Sequence, residues 1–509
     1  MAKTRRRECF TLPARVSLAL LTSAGVVALY LVRVNFSVAI VAMVRTASPN
    51  TNYTTTTAPH TAFCSTLNQV NRSVSGEEAV DVKLESSGNS SQTNNTAQDF
   101  SDTMVLTGTE RGLVLGGFFY GYCLTCILGG RLGELYGTKR VFGGAILIGG
   151  VLTLFTPLAA RSHYVVLMLL RTVIGLSQGV VYPSMNTMVA RWIPPLERSR
   201  FMAFTYMSNT LGTIITMPLC GMIIAEVGWP AVFYVTGGVS LVWVVVWALF
   251  MHDSPDQHPK ISLEERSYIL HAIQEGTTHN KPSRTPWWSF LSSAPLWATH
   301  AAHTGSMFGF NLLLTQLPIY MSSVLGFSIK TNGFLSALPF LSMFVGGNIA
   351  GQLSDWLVTH KYLTVCWSRK IFATISLVLP GAVLVIVGYV GCNTTLAVTL
   401  FTIGTAFSGA ICSGHRVNHL DLAPNFAGTT SGMSNALAFG IVTIVPVVVG
   451  AMTSNQSLEE WQSVFWLTGV VYVVTSAVFV IFGSTDIQPW NFPQEDETQQ
   501  PSEEETEFL

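Results

Sequence analysis

The chain has 509 residues, of which only 11% are charged and 49% are hydrophobic, and its mean hydropathy is +0.43. A water-soluble protein carries charges on about a quarter of its residues, so apolar content of this size implies lipid as the solvent. The net charge of −1 lacks the basic balance of a nucleic-acid binder and excludes that partner.

In chain order, residues 1–15 read as a basic cytosolic N-terminus containing Lys3, Arg5, Arg6 and Arg7. Apolar stretches of about 20 residues, the length that spans a hydrocarbon core of ~30 Å, follow at 16–44, 111–130, 141–160, 164–188, 201–225 and 231–251. The first is too long for a signal peptide and carries Arg33 at its middle, so it reads as a retained helix. Residues 46–105 are rich in Thr, Ser and Asn and predict a disordered, glycosylated loop. Residues 252–295 are a cytosolic linker. Within it, Ser262 and Glu265 match a capping box ahead of Arg266, Tyr268, Ile269 and Ile273, which predicts an amphipathic helix on the membrane surface. Six further spans lie at 297–323, 332–354, 370–390, 396–419, 429–452 and 462–483, and an acidic cytosolic tail occupies 485–509. The expected fold is all-α: twelve transmembrane helices in two six-helix bundles, 16–251 and 296–484.

Two independent signals orient the chain with both termini in the cytosol. That placement puts 18 of the 27 Lys and Arg in cytosolic segments, the bias of the positive-inside rule. The sequons at Asn52, Asn71, Asn89, Asn94, Asn393 and Asn455 all fall in loops on the other side and are expected glycosylation sites. Asn35 also begins a sequon, but it lies within the first helix and is expected to be unmodified. The eight cysteines stand at irregular positions and suggest neither a disulfide framework nor a zinc site. Cys123 and Cys126 read as packing or lipid-facing thiols.

An internal repeat divides the chain. Gly130-Arg131-Leu132-Gly133-Glu134, followed by Lys139 and Arg140, closes the second span; Gly351-Gln352-Leu353-Ser354-Asp355, followed by Arg369 and Lys370, closes the eighth. A carboxylate at a helix end, close-packing glycines and nearby bases suit a latch that breaks and reforms. Glu134, Arg140, Asp355 and Arg369 are therefore the expected gating residues.

These paired motifs resemble the major facilitator superfamily. Arg33-Val34-Asn35, Gly116–Tyr122 (GGFFYGY), Pro194–Arg200 (PPLERSR) and Val417–Gly428 (VNHLDLAPNFAG) narrow the resemblance to the anion transporter family of sialin, the vesicular glutamate transporters and the sodium/phosphate cotransporters. The resemblance implies alternating access around a central site and anionic cargo such as sialate, acidic amino acids, urate, nucleotides or phosphate. It also implies that the position of Gln178 holds glutamate in the sialin and vesicular glutamate branches, and that Leu115 stands where the glutamate branch has histidine.

The residues point the same way. An ionisable group deep in a membrane costs about 2.5–3.5 kcal/mol on insertion scales, and Arg33 and Arg171 are the two deep ones, without an evident acidic partner. A guanidinium offers a planar fork of donors to a carboxylate or phosphate. Helical steps from Arg171 reach Gly175, Gln178, Tyr182 and Asn186; Tyr30, Arg33 and Ser37 align in the first helix, Tyr206, Asn209, Thr213 and Thr216 in the fifth, and Thr304, Asn311 and Thr315 in the seventh. Such stripes serve either a hydrated cavity or helix contacts, and four of them favour the cavity. Arg33, Arg171, Tyr120, Gln178 and Asn311 are the expected substrate-binding set.

A glutamine does not exchange protons near neutral pH, so Gln178 argues against obligatory proton symport. Drive by a sodium gradient or the membrane potential is expected, with proton symport as the alternative and His303, His415 and His419 as its possible carriers. No cofactor or metal is implied, and a monomer is expected in the plasma membrane or a lysosomal or vesicular membrane. Gly175–Gly179 spells the nucleophile elbow G-x-S-x-G, but that elbow needs a strand–turn–helix, so no enzyme is expected. An anion channel would also use buried arginines, but it has no need of the duplicated latch.

Overall fold

The computed structural model describes residues 13–46, 64, 103–126, 128–194, 197–259, 261–277 and 285–492. The N-terminal half contains α1 (Ala14–Met43), α2 (Gly108–Cys126), α3 (Gly129–Tyr136), α4 (Thr138–Leu154), α5 (Thr156–Ser162), α6 (Tyr164–Gly179), α7 (Val181–Trp192), α8 (Arg198–Glu226) and α9 (Trp229–Phe250). The linker holds α10 (Leu263–Thr277) and α11 (Trp287–Ser292). The C-terminal half contains α12 (Ala294–Ser323), α13 (Ile329–Thr359), α14 (Val365–Tyr389), α15 (Thr394–Ser408), α16 (Asn418–Leu422), α17 (Ala427–Val442), α18 (Val445–Met452) and α19 (Leu458–Phe482). Among the described residues, nine helices are long and apolar enough to cross a bilayer, and the pair α4–α5, bent by 46°, makes a tenth. The more polar α2 and α12 complete the twelve spans; both give one face to an internal cavity, which lowers their hydropathy.

Several expected continuous spans are broken. The second divides at Leu128, the fourth at Val180 and the eleventh between Val442 and Val445. The tenth ends as α-helix at Ser408, tightens into a 3-10 turn over Gly409–Cys412 and passes through turns to α16. Irregular backbone survives at membrane depth only where protein or a hydrated cavity satisfies its polar groups, so these breaks mark the interior. The expected capping box also forms only halfway. The Glu265 N–H donates to Ser262 Oγ at 3.1 Å, but the Glu265 carboxylate turns to the start of α1, accepting from the Ala14 N–H at 2.9 Å and Arg15 Nε at 3.1 Å. Arg15 also reaches Glu197, of the Pro194–Arg200 motif, at 2.6 Å, so the linker helix is docked on the N-terminal half.

The two halves meet closely at the end of the bundle remote from the linker. A Cβ on Gly112 of α2 would stand 2.9 Å from Val447 Cα of α18, and one on Gly333 of α13 would stand 2.6 Å from Met217 O of α8. Only glycine permits these approaches. At this same end β1 (Val44–Thr46) pairs in parallel with β2 (Met104–Leu106), closing the base of the long loop. The cysteine expectation is corrected here: Cys64 of that loop is disulfide-bonded to Cys392, between α14 and α15.

Candidate functional site

A cavity of about 1010 Å³ lies between the halves and extends to Trp287 of the linker. On its N-terminal wall stand Tyr30 and Arg33 of α1, Tyr182 and Asn186 of α7, and Asn209 of α8; Asn311 of α12 faces them from the other half. Arg33 is 4% exposed, and its Nη2 donates to Asn311 Oδ1 at 3.3 Å across the interface between halves. The Asn311 amide nitrogen is committed to Met307 O at 2.8 Å, which turns its oxygen toward the guanidinium. Five rings, those of Tyr30, Phe118, Phe119, Tyr122 and Phe439, lie 5.1–5.6 Å from the Arg33 guanidinium carbon. Their π faces stabilise the cation without neutralising it. Among the described residues Arg33 forms no ion pair.

The other four members of the expected set divide. Asn311 lines the cavity, whereas Arg171, Tyr120 and Gln178 do not. Arg171 is equally buried and packs against Phe36 at 4.4 Å and Phe118 at 5.4 Å, so Phe118 stands between two guanidiniums. Gln178 turns toward the third membrane helix, where a Cβ on Gly149 would meet its Nε2 at 3.1 Å. The Tyr120 hydroxyl folds back over Gly116, 2.7 Å from the place of a Cβ there. On helix 4, Tyr182 and Asn186, after the turn at Val180, line the cavity, while Arg171 and Gln178, before it, do not.

The threonines of the stripes bond within their own helices. Thr213, Thr216 and Thr315 each donate to the carbonyl four residues earlier, at 3.1, 2.6 and 2.7 Å. Ser177 of the G-x-S-x-G string donates to the carbonyl three residues earlier, Ile174 O, at 2.7 Å, inside a helix that offers no elbow. Cys126 lines the cavity and is a free thiol. Asn35 is buried and donates to Thr236 Oγ1 at 2.8 Å, leaving no room for a glycan. Asn393 and Asn455 are exposed, while Asn52, Asn71, Asn89 and Asn94 lie outside the described residues.

At the linker end the gating set is rearranged. Arg369 pairs with Asp421 at 2.7 Å and donates to Ser413 O at 3.0 Å, while Asp355 and Arg140 are exposed and the Glu134 side chain is outside the described set. Asp253, rather than a latch base, accepts from the Lys139 N–H at 2.7 Å.

The sequence reading named His303, His415 and His419 as possible proton carriers and missed His300, Arg416 and Arg111. His300 and His303 of α12 and His415 and His419 of the broken tenth helix form a buried cluster, with ring centroids 5.6 Å apart for His300–His419 and 6.2 Å for His303–His415. Arg416, beside them, lines the cavity. Arg111, at the first turn of α2, is 5% exposed. Arg416 and Arg111 stand at the margins of apolar runs, where a basic residue ordinarily reaches water, so only the fold reveals that Arg111 is buried and that Arg416 faces the cavity.

Comparison with known proteins agrees with this geometry. The profile of the Major Facilitator Superfamily matches residues 24–445. Sialin from Homo sapiens is 36% identical over 479 residues, covering 94% of this chain and 90% of that protein. Vesicular glutamate transporter 2 from Homo sapiens is 38% identical over 387 residues, covering 75% of this chain and 66% of that one. Among solved structures, a bacterial homologue of the human lysosomal transporter Spinster, inward-facing and unoccupied, is similar with a TM-score of 0.63 at 14% identity over 94% of this chain and 100% of that one.

Proposed function

The chain belongs to the Major Facilitator Superfamily, and from that premise we propose that it carries small anions by alternating access, with Arg33 holding the anionic group of the cargo. The carrying observation is a buried guanidinium that lines the cavity, is wrapped in aromatic rings and is paired with no carboxylate among the described residues. Two unbalanced cations, Arg33 in contact and Arg171 behind Phe118, disfavour cationic cargo. The basic segments at the linker end support a cytosolic placement of that end, so the cavity described opens toward the cytosol. The names of the relatives, sialin and a vesicular transporter, favour an intracellular vesicle membrane over the plasma membrane.

The absence of a carboxylate at Gln178 supports drive by membrane potential or a sodium gradient. Proton symport is the second reading, favoured by the buried histidine cluster, which reaches the cavity through His303. Uptake of labelled sialate, glutamate, urate and phosphate into reconstituted vesicles, with pH gradient, sodium gradient and potential imposed separately, tests both. Arg33→Ala is expected to abolish uptake while leaving glycosylation and membrane delivery intact. Normal transport of every anion by delivered Arg33→Ala protein overturns the assignment. Counterflow distinguishes a carrier from a channel.

A further inference from the structure

The two halves are repeats, so the fourth and tenth membrane helices occupy corresponding places, as do the first and seventh. Interrupted helices at corresponding places in the halves of a transporter mark its binding site. Here the fourth is interrupted at Val180 and the tenth between Ser408 and Asn418. The N-terminal pair carries Arg33 and Arg171; the C-terminal pair carries His303 and Arg416. We propose that His303 and Arg416 form a second anion-holding position in the cavity, which selects cargo bearing two separated negative groups.

The arrangement is a built one. His303 is 5% exposed and lines the cavity. Its Nε2 is 3.1 Å from Asn435 Oδ1, while its Nδ1 meets no protein group. With Nε2 donating to Asn435, Nδ1 is an acceptor in the neutral ring and becomes a second donor when the ring is protonated. Behind it His415 is fully buried and shares a hydrogen bond with Ser306 Oγ at 3.0 Å. The charged and titratable groups that reach His303 electrostatically are Arg416, His300, His415 and His419, and Asp421, on the adjoining α16, is paired with Arg369. A cluster of this composition lowers its free energy by receiving negative charge. His303 and Asn311 lie on one face of α12, two turns and about 12 Å apart along the axis. A cargo with one anionic group at Arg33 and Asn311 therefore has room for a second facing His303 and Arg416.

The proposal rests on the cavity being the anion site, and the test separates the two claims. Glutarate and butyrate have similar length and differ by one carboxylate. Their dissociation constants for the purified full-length chain are read from thermal unfolding midpoints, which need no turnover. Glutarate is expected to bind about tenfold more tightly than butyrate. Arg416→Gln should weaken glutarate to the level of butyrate without altering butyrate, Arg416→Lys should recover part of the difference, and His303→Gln, a milder change, should lose part of it. Equal binding of the two acids, or of neither, by the wild-type chain overturns the second position, as does an unchanged glutarate preference in Arg416→Gln. Arg33→Ala is measured alongside: loss of both acids there supports the first anchor, and unchanged binding of both sinks that anchor while the Arg416 comparison still decides the second position.

Discussion

Arg33 and Arg171 are the same residue type, equally buried, on helices that the sequence places at the cavity, yet they do different work. Arg33 presents its guanidinium to the cavity beside Asn311, while Arg171 packs against Phe36 and Phe118 outside the cavity lining, where we propose that it acts through its field. A lysine in place of Arg33 keeps the charge but loses the planar fork, so Arg33→Lys is expected to raise KM about tenfold or more. Arg171→Lys should raise KM by no more than about threefold, because no fork is used there. Equal effects in a vesicle uptake assay would refute the division. The sequence disclosed that both charges are buried, since an apolar run around an arginine is visible by inspection. Which one meets cargo was hidden, because the α period holds only while the helix is continuous. Tyr182 and Asn186 line the cavity and Arg171 and Gln178 do not, with the turn at Val180 lying between the two pairs. Arg416 was hidden for a related reason, its helix ending eight residues earlier at Ser408.

At the scale of elements, glycines do the closing. The crossings of α2 on α18 and α8 on α13 bring backbone to backbone at the end remote from the linker, as the Gly112 and Gly333 contacts require. A side chain at either place prevents that closure and favours the opposite state, in which the linker end shuts over the cavity. Gly112→Val should therefore protect Cys126, which lines the cavity now, from thiol reagents supplied on the linker side. The measurement is the alkylated fraction of Cys126 by mass spectrometry, and undiminished labelling in the folded variant would count against the mechanism. Glu134 and Asp355 fit the same cycle as proposed contacts of that opposite state, since Asp355 is exposed in this one. The repeat that revealed the latch was legible because it is local in sequence. Its present partner was not, because Arg369 and Asp421 are 52 residues apart and meet only through the broken tenth helix.

For the molecule as a whole, the count of spans and their division into two sets of six were readable from the length of apolar runs, and the transport class from the duplicated latch and the family resemblance it carries. The link between Cys64 and Cys392 was not, since 328 residues separate the partners and neither sits in a recognisable spacing. Its consequence is topological. The linker joins the halves at one end and the disulfide joins them at the other, so the backbone from Cys64 to Cys392 is a closed covalent ring with two tails. A single cut within the ring opens it without releasing a fragment. A protease site engineered into the linker after Thr277 should, once cleaved, leave a species that migrates intact in denaturing gels and falls into two pieces only when thiol reductant is added. Two pieces without reductant would show that the ring is not closed in the protein as isolated.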